Sequence, residues 1–312
     1  MVKKILVVTI IPLLIFGGGS LWLVTEMKKP ACQIRQPADC QPVSFEVKGG
    51  ETGWQIFDHL QSTGLIKNQS VGWLYGWLTG KNRRLQEGYY LFSPNQSPRE
   101  IIAAIAAGQV AEYKITIPEG YSNRQIAAAL TKKFAFSQDD FLAAAKEKEG
   151  YLFPDTYRFL INSQPQDIIK KMADNFAVRT QGLSLSKDDI ILTSIVEKEG
   201  KTTEDKKIIA GIFLTRWKSN IPLESCATIN YLLPQPKTHL SNSDIAIDSP
   251  YNTYRYPGLP PTPISNPGLE SLTAVKNPTP TNYLFFLSDK DGKIYYSMTR
   301  AEHEEKKKKY LQ

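Results

Sequence analysis

Apolar residues recur at helical spacing through most of the chain, and two stretches 70 positions apart share one pattern. Residues 47–56, VKGGETGWQI, and residues 117–126, IPEGYSNRQI, each read as a strand end, a turn with Gly and Glu, and a helix start. Thr52 and Ser122 are the predicted N-caps, because a hydroxyl oxygen accepts a hydrogen bond from the unpaired amides of the first helical turn. An amphipathic helix is predicted after each cap.

The same periodicity predicts further elements along the chain. Residues 85–92 form a predicted strand, and Pro98 opens the helix that follows it. Near the end of the chain, two short apolar segments flank the turn sequence DKDG and predict a β-hairpin, followed by a charged helix. These elements together predict an α+β fold with a mainly helical second half. The remaining predicted helices run through residues 138–148, 166–179, 187–199 and 204–217. Ser137 with Asp140 and Ser186 with Asp189 are the predicted capping boxes of the first and third of these helices.

The segment from Ile5 to Val24 contains no charged residue over twenty positions. A helix of that length spans about 30 Å, the thickness of the hydrocarbon core of a bilayer. Lys3 and Lys4 precede the segment, which favours a cytoplasmic N-terminus. A membrane anchor with an extracytoplasmic remainder is therefore the favoured interpretation, and a cleaved signal peptide or a buried soluble helix are the alternatives.

The composition is that of an ordinary globular protein, with 41% hydrophobic and 22% charged residues. It excludes collagen-like, coiled-coil and wholly disordered chains. The net charge of +7 suits an anionic partner such as nucleic acid, lipid head groups or cell-wall polymer, without choosing among them. Three cysteines and three histidines leave little room for a zinc cluster. Cys32 and Cys40 either form a disulfide or remain thiols, and Cys226 is expected to pack as a small apolar residue.

One carboxyl group stands out as a candidate acid. In the predicted helix DDIILTSIVEKEG, Glu199 follows Leu192 by seven positions and Ile195 by four, and so lies on the apolar face. Burial raises the pKa of a carboxyl group, as a general acid requires near neutral pH. Glu197 falls on the opposite face, with Lys201 as its predicted surface partner. The alternative for Glu199 is a frayed last turn that carries the side chain into solvent.

Two further stretches are too irregular for helix or strand. Residues 249–268, SPYNTYRYPGLPPTPISNPG, form a loop that proline makes stiff and that carries three tyrosines. Such a loop suits stacking on sugar rings, and the alternative is a structural loop that packs its tyrosines on helices. Residues 149–157, EGYLFPDTY, read as a turn with aromatic flanks. The chain contains no P-loop, GxGxxG, HExxH or GxSxG motif.

Several long segments of the chain resemble one known family. They are the LysM-like start FEVKGGETGWQIFDHLQSTGLI, then EGYLFPDTY, SIVEKEG, IAGIFLTRW with IPLES, SPYNTYRYPGLPPTPISNPG and LTAVKNPTPTNYLFFL. In this order they are similar to the MltG/YceG-like endolytic murein transglycosylases, bitopic bacterial membrane proteins that cut peptidoglycan strands internally. LysM modules are associated with N-acetylhexosamine chains, and any small α+β domain is the alternative for the first segment.

The resemblance implies cleavage of the MurNAc-β-1,4-GlcNAc bond without water, metal or organic cofactor. A single acid, Glu199 of the E-K-E motif, protonates the glycosidic oxygen. The 6-hydroxyl of the sugar then closes onto C1 and leaves a 1,6-anhydro end. The resemblance also implies a cleft lined by Tyr251, Asn252, Thr253 and Tyr254, with Asp155 and Tyr157 nearby.

The expected partners are peptidoglycan strands, the membrane and cell-wall synthases, with no nucleic acid. The expected location is the bacterial cytoplasmic membrane, with a single span and an extracytoplasmic catalytic part. The expected organisation is a transmembrane anchor at residues 1–29, a linker at 30–43, a LysM-like module at 44–112 and a YceG-like catalytic domain at 113–312.

One departure from the family pattern falls close to the candidate acid. Where family members usually read L-Q-[ST]-D-[PA]-T, residues 223–228 read LESCAT, so Glu224 replaces the Gln and Cys226 the Asp. Glu224 is retained as a substrate-binding residue that raises the pKa of Glu199 further or supplies a second carboxylate. Ordinary glycosidases use two carboxyl groups, so a hydrolytic muramidase is an alternative function. A non-catalytic, membrane-anchored glycan-binding scaffold is the third hypothesis.

Overall fold

The computed structural model describes Gly19, residues 21–32 and residues 41–311. Most of the predicted membrane span from Ile5 to Val24 lies outside the described residues. Within the described ranges, no helix is both long and apolar enough to cross a membrane. The described chain contains both helices and small antiparallel sheets, which confirms the α+β class.

The cysteines differ in their state. Cys32 is disulfide-bonded, and Cys40 lies outside the described residues. Cys226 is a free and exposed cysteine, so the prediction that it packs as a small apolar residue is wrong. Its position at the start of a helix, on the wall of a cavity described below, keeps its side chain accessible.

The chain divides into two compact units. The first comprises the chain up to Tyr113 together with Leu160–Asn162, and the second comprises Lys114–Phe159 and the chain from Ser163 onward. The first unit contains β1 (Val43–Val47), α1 (Gly53–Ser62), α2 (Gln69–Leu78), a 3-10 turn (Lys81–Arg83), β2 (Gly88–Phe92) and α3 (Pro98–Ala106).

The first unit is held by an antiparallel pair and a buried apolar core. β1 and β2 pair with Val43 opposite Phe92 and Val47 opposite Gly88. The predicted N-cap of α1 is confirmed, because Thr52 Oγ1 accepts a hydrogen bond from the amide of Gln55 and the Gln55 side chain accepts one from the amide of Thr52. The fully buried core side chains include Phe45, Phe57, Leu60, Ile101, Ile102 and Ile105.

The second unit is mainly helical, as predicted, and carries two small sheets. The pair β3–β4 and the hairpin β5–β6 are both two-stranded. The strands β3 (Glu112–Thr116) and β4 (Thr156–Leu160) have most of their residues in this unit. Its other elements are α4 (Asn123–Leu130), α5 (Gln138–Ala144), α6 (Pro165–Arg179), α7 (Lys187–Glu199), α8 (Thr203–Lys218), α9 (Cys226–Leu232), α10 (Asn242–Ile245), α11 (Leu269–Lys276), β5 (Phe285–Ser288), β6 (Ile294–Ser297) and α12 (Arg300–Tyr310).

The N-caps predicted in this unit are confirmed. Ser122, Ser137 and Ser186 each accept a hydrogen bond from the amide three residues later and complete a capping box with the side chain of that residue. The predicted hairpin is also confirmed, with Phe285 opposite Ser297. The helix after Ser137 is shorter than predicted and ends at Ala144, because its C-cap Ala145 leaves the helical conformation with ψ at 9°.

The helix α7 is the centre of the second unit. It packs against α8 and α11, and every residue from Ile190 to Val196 is buried. The charged residues at its C-terminal end differ in exposure. Lys198 is exposed, whereas Glu197 and Glu199 are partly buried.

Candidate active site

A cavity of about 230 Å³ opens in the second unit beside the C-terminal end of α7. Its wall is made by the start of α4, the end of α7 and the helix α9. Two cationic side chains, Arg124 and Lys198, lie on this wall together with the carboxyl group of Glu199. The other lining residues include Cys226, Ala227, Asn230, Tyr231 and Pro234.

The side chain of Glu199 lies half-buried in this wall. Its Oε1 accepts a hydrogen bond of 2.6 Å from the hydroxyl of Ser225. Burial raises the pKa of Glu199, and the Ser225 hydroxyl, the amide of Ala227 and the charge of Lys198 each oppose that rise. Because desolvation is the largest of these effects, the group retains its proton to higher pH than an exposed glutamate does. A protonated carboxyl group on a cavity wall is placed to donate that proton to a bound molecule.

The last turn of α7 is anchored rather than frayed. Gly200 ends the helix in an extended conformation, with its amide bonded to the carbonyl of Val196. The ammonium group of Lys198 donates to the carbonyl of Gly120 at 3.2 Å. The alternative of a frayed turn that exposes Glu199 is therefore wrong.

Glu197 belongs to this anchor, and its predicted surface pairing with Lys201 is wrong. Its side chain is only 7% exposed. It accepts hydrogen bonds from the amide of Gly268 at 2.9 Å and the hydroxyl of Ser271 at 2.7 Å, and it pairs with the ammonium group of Lys206 at 3.5 Å. The helical periodicity of α7 alone indicated one buried face, whereas α8 and α11 cover the other.

The backbone around Ser225 explains how its hydroxyl reaches Glu199. Ser225 is the N-cap of α9, so its Oγ also accepts the amide of Ala227 at 3.2 Å. Its own amide donates to Thr253 Oγ1 at 3.1 Å, and the amide of Glu224 donates to the carbonyl of Thr253. Glu224 has a φ of +54°, which is uncommon for a residue with a Cβ atom. These contacts fix the turn that precedes α9.

The predicted cleft residues of the proline-rich loop lie behind the cavity wall. Asn252 is fully buried and donates to the carbonyls of Ile245 and Ile247. Tyr254 OH lies 3.0 Å from Cys226 Sγ. The ring of Tyr251 packs against that of Tyr231, 5.2 Å between centroids. The structure thus brings the loop to the turn that holds Glu199. The contacts of the loop are those expected of a structural loop that packs its tyrosines on helices, rather than of a loop that stacks on sugar rings.

Asp155 and Tyr157 are not brought to the cavity. Asp155 Oδ2 accepts hydrogen bonds from Asn175 at 3.1 Å and Arg179 at 2.8 Å. The hydroxyl of Tyr157 donates to the carbonyl of Phe153 at 2.6 Å and accepts from Asn175. Both side chains therefore join β4 to α6, and neither is among the residues that line the cavity.

The carboxylate of Glu224 points to two arginines. Arg216 Nη2 lies 2.9 Å from its Oε2, and Arg300 Nη1 lies 3.7 Å from its Oε1. Arg216 is itself buried, donates to the carbonyls of Pro222 and Leu284, and stacks over the ring of Phe285. Glu224 is not among the groups that shift the pKa of Glu199. The departure from the family motif is thus accommodated by charge pairing.

A second buried carboxyl group, Glu149, was not singled out by the sequence. Its Oε1 accepts the amide of Asn123 at 2.9 Å, and its Oε2 accepts the hydroxyl of Tyr231 at 3.4 Å. Burial raises the pKa of Glu149 to about 7, against the effects of these donors and of Arg124. Because Tyr231 and Arg124 both line the cavity, Glu149 lies directly behind its wall. The one feature of the sequence that could have pointed to Glu149 is its position as the first residue of the segment EGYLFPDTY.

Within the part of the chain that the structure describes, no group of three or more His, Cys, Asp or Glu side chains is placed to hold a metal ion. The cavity itself offers one carboxyl group, one thiol and two cations. Such a set suits proton donation to a neutral or anionic ligand.

Comparison with known proteins gives a consistent result. The sequence model of the YceG-like family matches residues 45–309. A Bacillus subtilis (strain 168) protein named endolytic murein transglycosylase is 28% identical over 96% of this chain and 91% of its own length. A protein of the same name from Streptococcus pneumoniae (serotype 2, strain D39) is 27% identical over 84% of this chain and 57% of its own length.

A solved structure is also similar. The 2.6 Å crystal structure of a yceG-like protein from Listeria monocytogenes superimposes with a TM-score of 0.56 at 30% sequence identity. The match covers 86% of this chain and 99% of that one.

Proposed function

The chain belongs to the YceG-like family, and we propose that it is an endolytic murein transglycosylase with Glu199 as its acid and base. The observation that carries the proposal is the carboxyl group of Glu199, half-buried in a cavity wall and hydrogen-bonded to Ser225 at 2.6 Å. The names of the relatives supply the reaction class, and the buried acid supplies the chemistry that this class requires.

The proposed reaction needs one proton-transfer group. Glu199 in its neutral form donates its proton to the glycosidic oxygen between MurNAc and GlcNAc, and the bond from that oxygen to C1 breaks. The 6-hydroxyl oxygen of MurNAc forms a new bond to C1, and its proton passes to the Glu199 carboxylate. The acid is regenerated, no water is consumed, and the product carries a 1,6-anhydro end.

The surrounding side chains have supporting roles in this proposal. The Ser225 hydroxyl orients the carboxyl group and stabilises its anion after proton donation. Arg124 and Lys198 give the cavity a positive potential that suits the lactyl and peptide carboxylates of a murein strand. Tyr251, Asn252, Thr253 and Tyr254 act through the turn before α9 and thereby position Ser225.

The alternative of a hydrolytic muramidase with Glu199 and Glu224 receives less support. A second carboxylate must face the water that attacks the sugar, whereas both oxygens of Glu224 face arginines. The scaffold hypothesis is disfavoured by the raised pKa of Glu199, because a buried acid without a role costs stability.

The proposal extends to the rest of the chain. Residues 5–24 would anchor the protein in the cytoplasmic membrane with both units outside, beside cell-wall synthases. The first unit would act as a LysM-like glycan-binding module ahead of the catalytic unit. The strand β1, the turn capped by Thr52 and the helix α1 support this interpretation, which stays a prediction.

Mass spectrometry of fragments released from purified peptidoglycan tests the function. The wild-type protein should release fragments with 1,6-anhydro ends, which are one water lighter than hydrolysed ends. Glu199→Gln should retain the fold and lose activity by roughly 100-fold or more. Glu147→Gln is the matched control, because Glu147 is an exposed glutamate, and it should remain fully active.

Each other outcome assigns a different function. Full activity of Glu199→Gln would exclude Glu199 as the acid. Hydrolysed ends would establish the muramidase. Binding of the wild-type protein to sacculi without release of any fragment would establish the scaffold.

A further inference from the structure

The first unit exposes a face of large apolar side chains. Trp77 is 60% exposed and Leu78 is 58% exposed, both in the last turn of α2. Leu74 lies one turn earlier on the same side of the helix, and Trp54 at the start of α1 extends the face. The ring of Trp73 joins the two helices, 6.0 Å from that of Trp54. Trp54, Leu74, Trp77 and Leu78 are called the tryptophan face below.

The packing of α2 shows that this exposure follows from the sequence. The side of α2 that faces the core carries Gly72 and Gly76. A Cβ atom at Gly72 would come within 3.0 Å of the Phe57 ring, and one at Gly76 within 3.2 Å of it. The helix therefore packs on α1 through its glycines and the buried Tyr75, and it leaves Leu74, Trp77 and Leu78 exposed. A group of exposed large apolar side chains is typical of a surface that binds a partner.

The charges next to α2 are mainly positive. Lys67 precedes the helix and Lys81, Arg83 and Arg84 follow it, whereas on α1 the exposed Asp58 lies four residues after Trp54. Arg83 and Arg84 are exposed and follow α2 directly. Tryptophan and leucine next to cations are the combination that enters the interface of an anionic bilayer, where the rings lie at the head groups and each cation is attracted to the surface.

The chain path also favours a lipid surface. Leu23 and Met27 are buried in the core of the first unit. Leu23 lies at the end of the uncharged segment 5–24 and Met27 lies just after it, so this unit is tied directly to that segment.

We propose that the tryptophan face binds the surface of an anionic phospholipid bilayer and that the first unit lies on the membrane. This contact is independent of the reaction proposed for Glu199. It would hold the first unit against the membrane surface, so that the glycan strands the protein meets are those close to the bilayer.

Spin labels on the full-length chain, reconstituted in vesicles, test the proposal. Cys226→Ser removes the free exposed thiol, and the same protein without an added cysteine gives the background. Labels are placed at Trp77→Cys and separately at Leu78→Cys. Val178→Cys is the matched control, because Val178 is 67% exposed and lies on α6 of the second unit. Accessibility is measured to oxygen, which enters lipid, and to a nickel complex, which stays in water.

In vesicles that contain phosphatidylglycerol, labels at 77 and 78 should be more accessible to oxygen than to nickel, and the label at 178 should show the reverse. Two changes should make the labels at 77 and 78 more accessible to the nickel complex. One is the use of vesicles of phosphatidylcholine alone, and the other is the double variant Arg83→Glu with Arg84→Glu. Glycan strands added to the vesicles should change neither label.

Two results would overturn the proposal. Labels at 77 and 78 that stay as accessible to nickel as the label at 178 in phosphatidylglycerol vesicles would show that the face does not touch lipid. Protection of positions 77 and 78 by added glycan strands would assign the face to glycan instead. The two positions are labelled in separate proteins, so that a substitution that disturbs the fold in one of them does not decide the result.

Discussion

The hydroxyl of Ser225 donates a hydrogen bond of 2.6 Å to Oε1 of Glu199, joining the N-cap of α9 to the last turn of α7. One residue thus begins a helix and holds the candidate acid at the end of another. The carboxyl group is fixed in the cavity wall although Glu199 is the last residue of its own helix. This link predicts that the pH response of the proposed reaction depends on Ser225.

Ser225→Ala should shift the pH profile. The Ser225 hydroxyl lowers the pKa of Glu199, so its removal raises that pKa. Activity that needs the protonated acid falls as pH rises through this pKa, and the alkaline limb of kcat should therefore move to higher pH. A lost hydrogen bond to a charged group, about 1.5 kcal/mol, should also reduce kcat/KM roughly tenfold. The measurement is fragment release as a function of pH.

Ser225→Thr is the control, because threonine keeps the hydroxyl and is an accepted N-cap. Ser225→Thr should keep the alkaline limb of kcat at the same pH as in the wild-type protein. An unchanged limb in Ser225→Ala would show that the hydrogen bond does not influence Glu199 in solution.

Glu149→Gln should flatten the dependence of stability on pH. The pKa of Glu149 is about 7 in the fold against an ordinary 4.5. The contribution of Glu149 to the free energy of unfolding is full below pH 4.5, and it is lost as pH rises through 7. The total loss is about 3 kcal/mol. A glutamine does not ionise, so this loss disappears. The thermal midpoint measured between pH 4.5 and 7.5 checks the change.

Glu147→Gln provides the comparison for Glu149. Glu147 is exposed two residues away, and its substitution should leave the slope of stability against pH unchanged. Equal slopes of stability against pH in Glu149→Gln and the wild type would show that the burial of Glu149 does not cause the pH dependence.

Glu224→Gln should leave the reaction intact. Because the Glu224 carboxylate pairs with Arg216 at 2.9 Å and remains partly exposed, its neutralisation should cost about 1 kcal/mol of stability or less. Fragment release should stay within a few fold of the wild type, with the same 1,6-anhydro ends. Loss of activity comparable to that of Glu199→Gln, at an unchanged thermal midpoint, would instead establish a second catalytic carboxylate.

Glu197→Ala should destabilise the second unit strongly. The change leaves the buried ammonium group of Lys206 without its nearest carboxylate and removes the acceptor for Gly268 and Ser271. Breaking a buried pair costs roughly 3–5 kcal/mol, so the thermal midpoint should fall by several degrees.

Lys201→Ala removes the partner that the helical pattern assigned to Glu197. It should leave the thermal midpoint nearly unchanged, because Lys201 is exposed. A larger loss in Lys201→Ala than in Glu197→Ala would contradict the observed pairing.

Local elements could be predicted because their determinants are close in sequence. Thr52, Ser122, Ser137 and Ser186 each cap a helix through an amide three residues away. The DKDG turn likewise joins two strands that are four residues long. In these cases the partners are fixed by spacing alone, so the pattern and the structure agree.

Glu197 and Glu149 show where that reasoning stops. The helical pattern of α7 describes only one helix, and it cannot show that α11 and α8 bring Gly268, Ser271 and Lys206 to the opposite side. The burial of Glu149 likewise depends on Asn123 and Tyr231, which are 26 and 82 positions away.

The sequence by itself determined the helix starts, the α+β class, the family resemblance and the choice of Glu199 as the candidate acid. The tertiary structure decided the surroundings of that acid: Ser225 as its hydrogen-bond donor, Arg216 as the partner of Glu224, and Glu149 behind the cavity wall. The reason is that capping and periodicity act over a few residues, whereas burial and charge pairing depend on which distant segments the fold brings together.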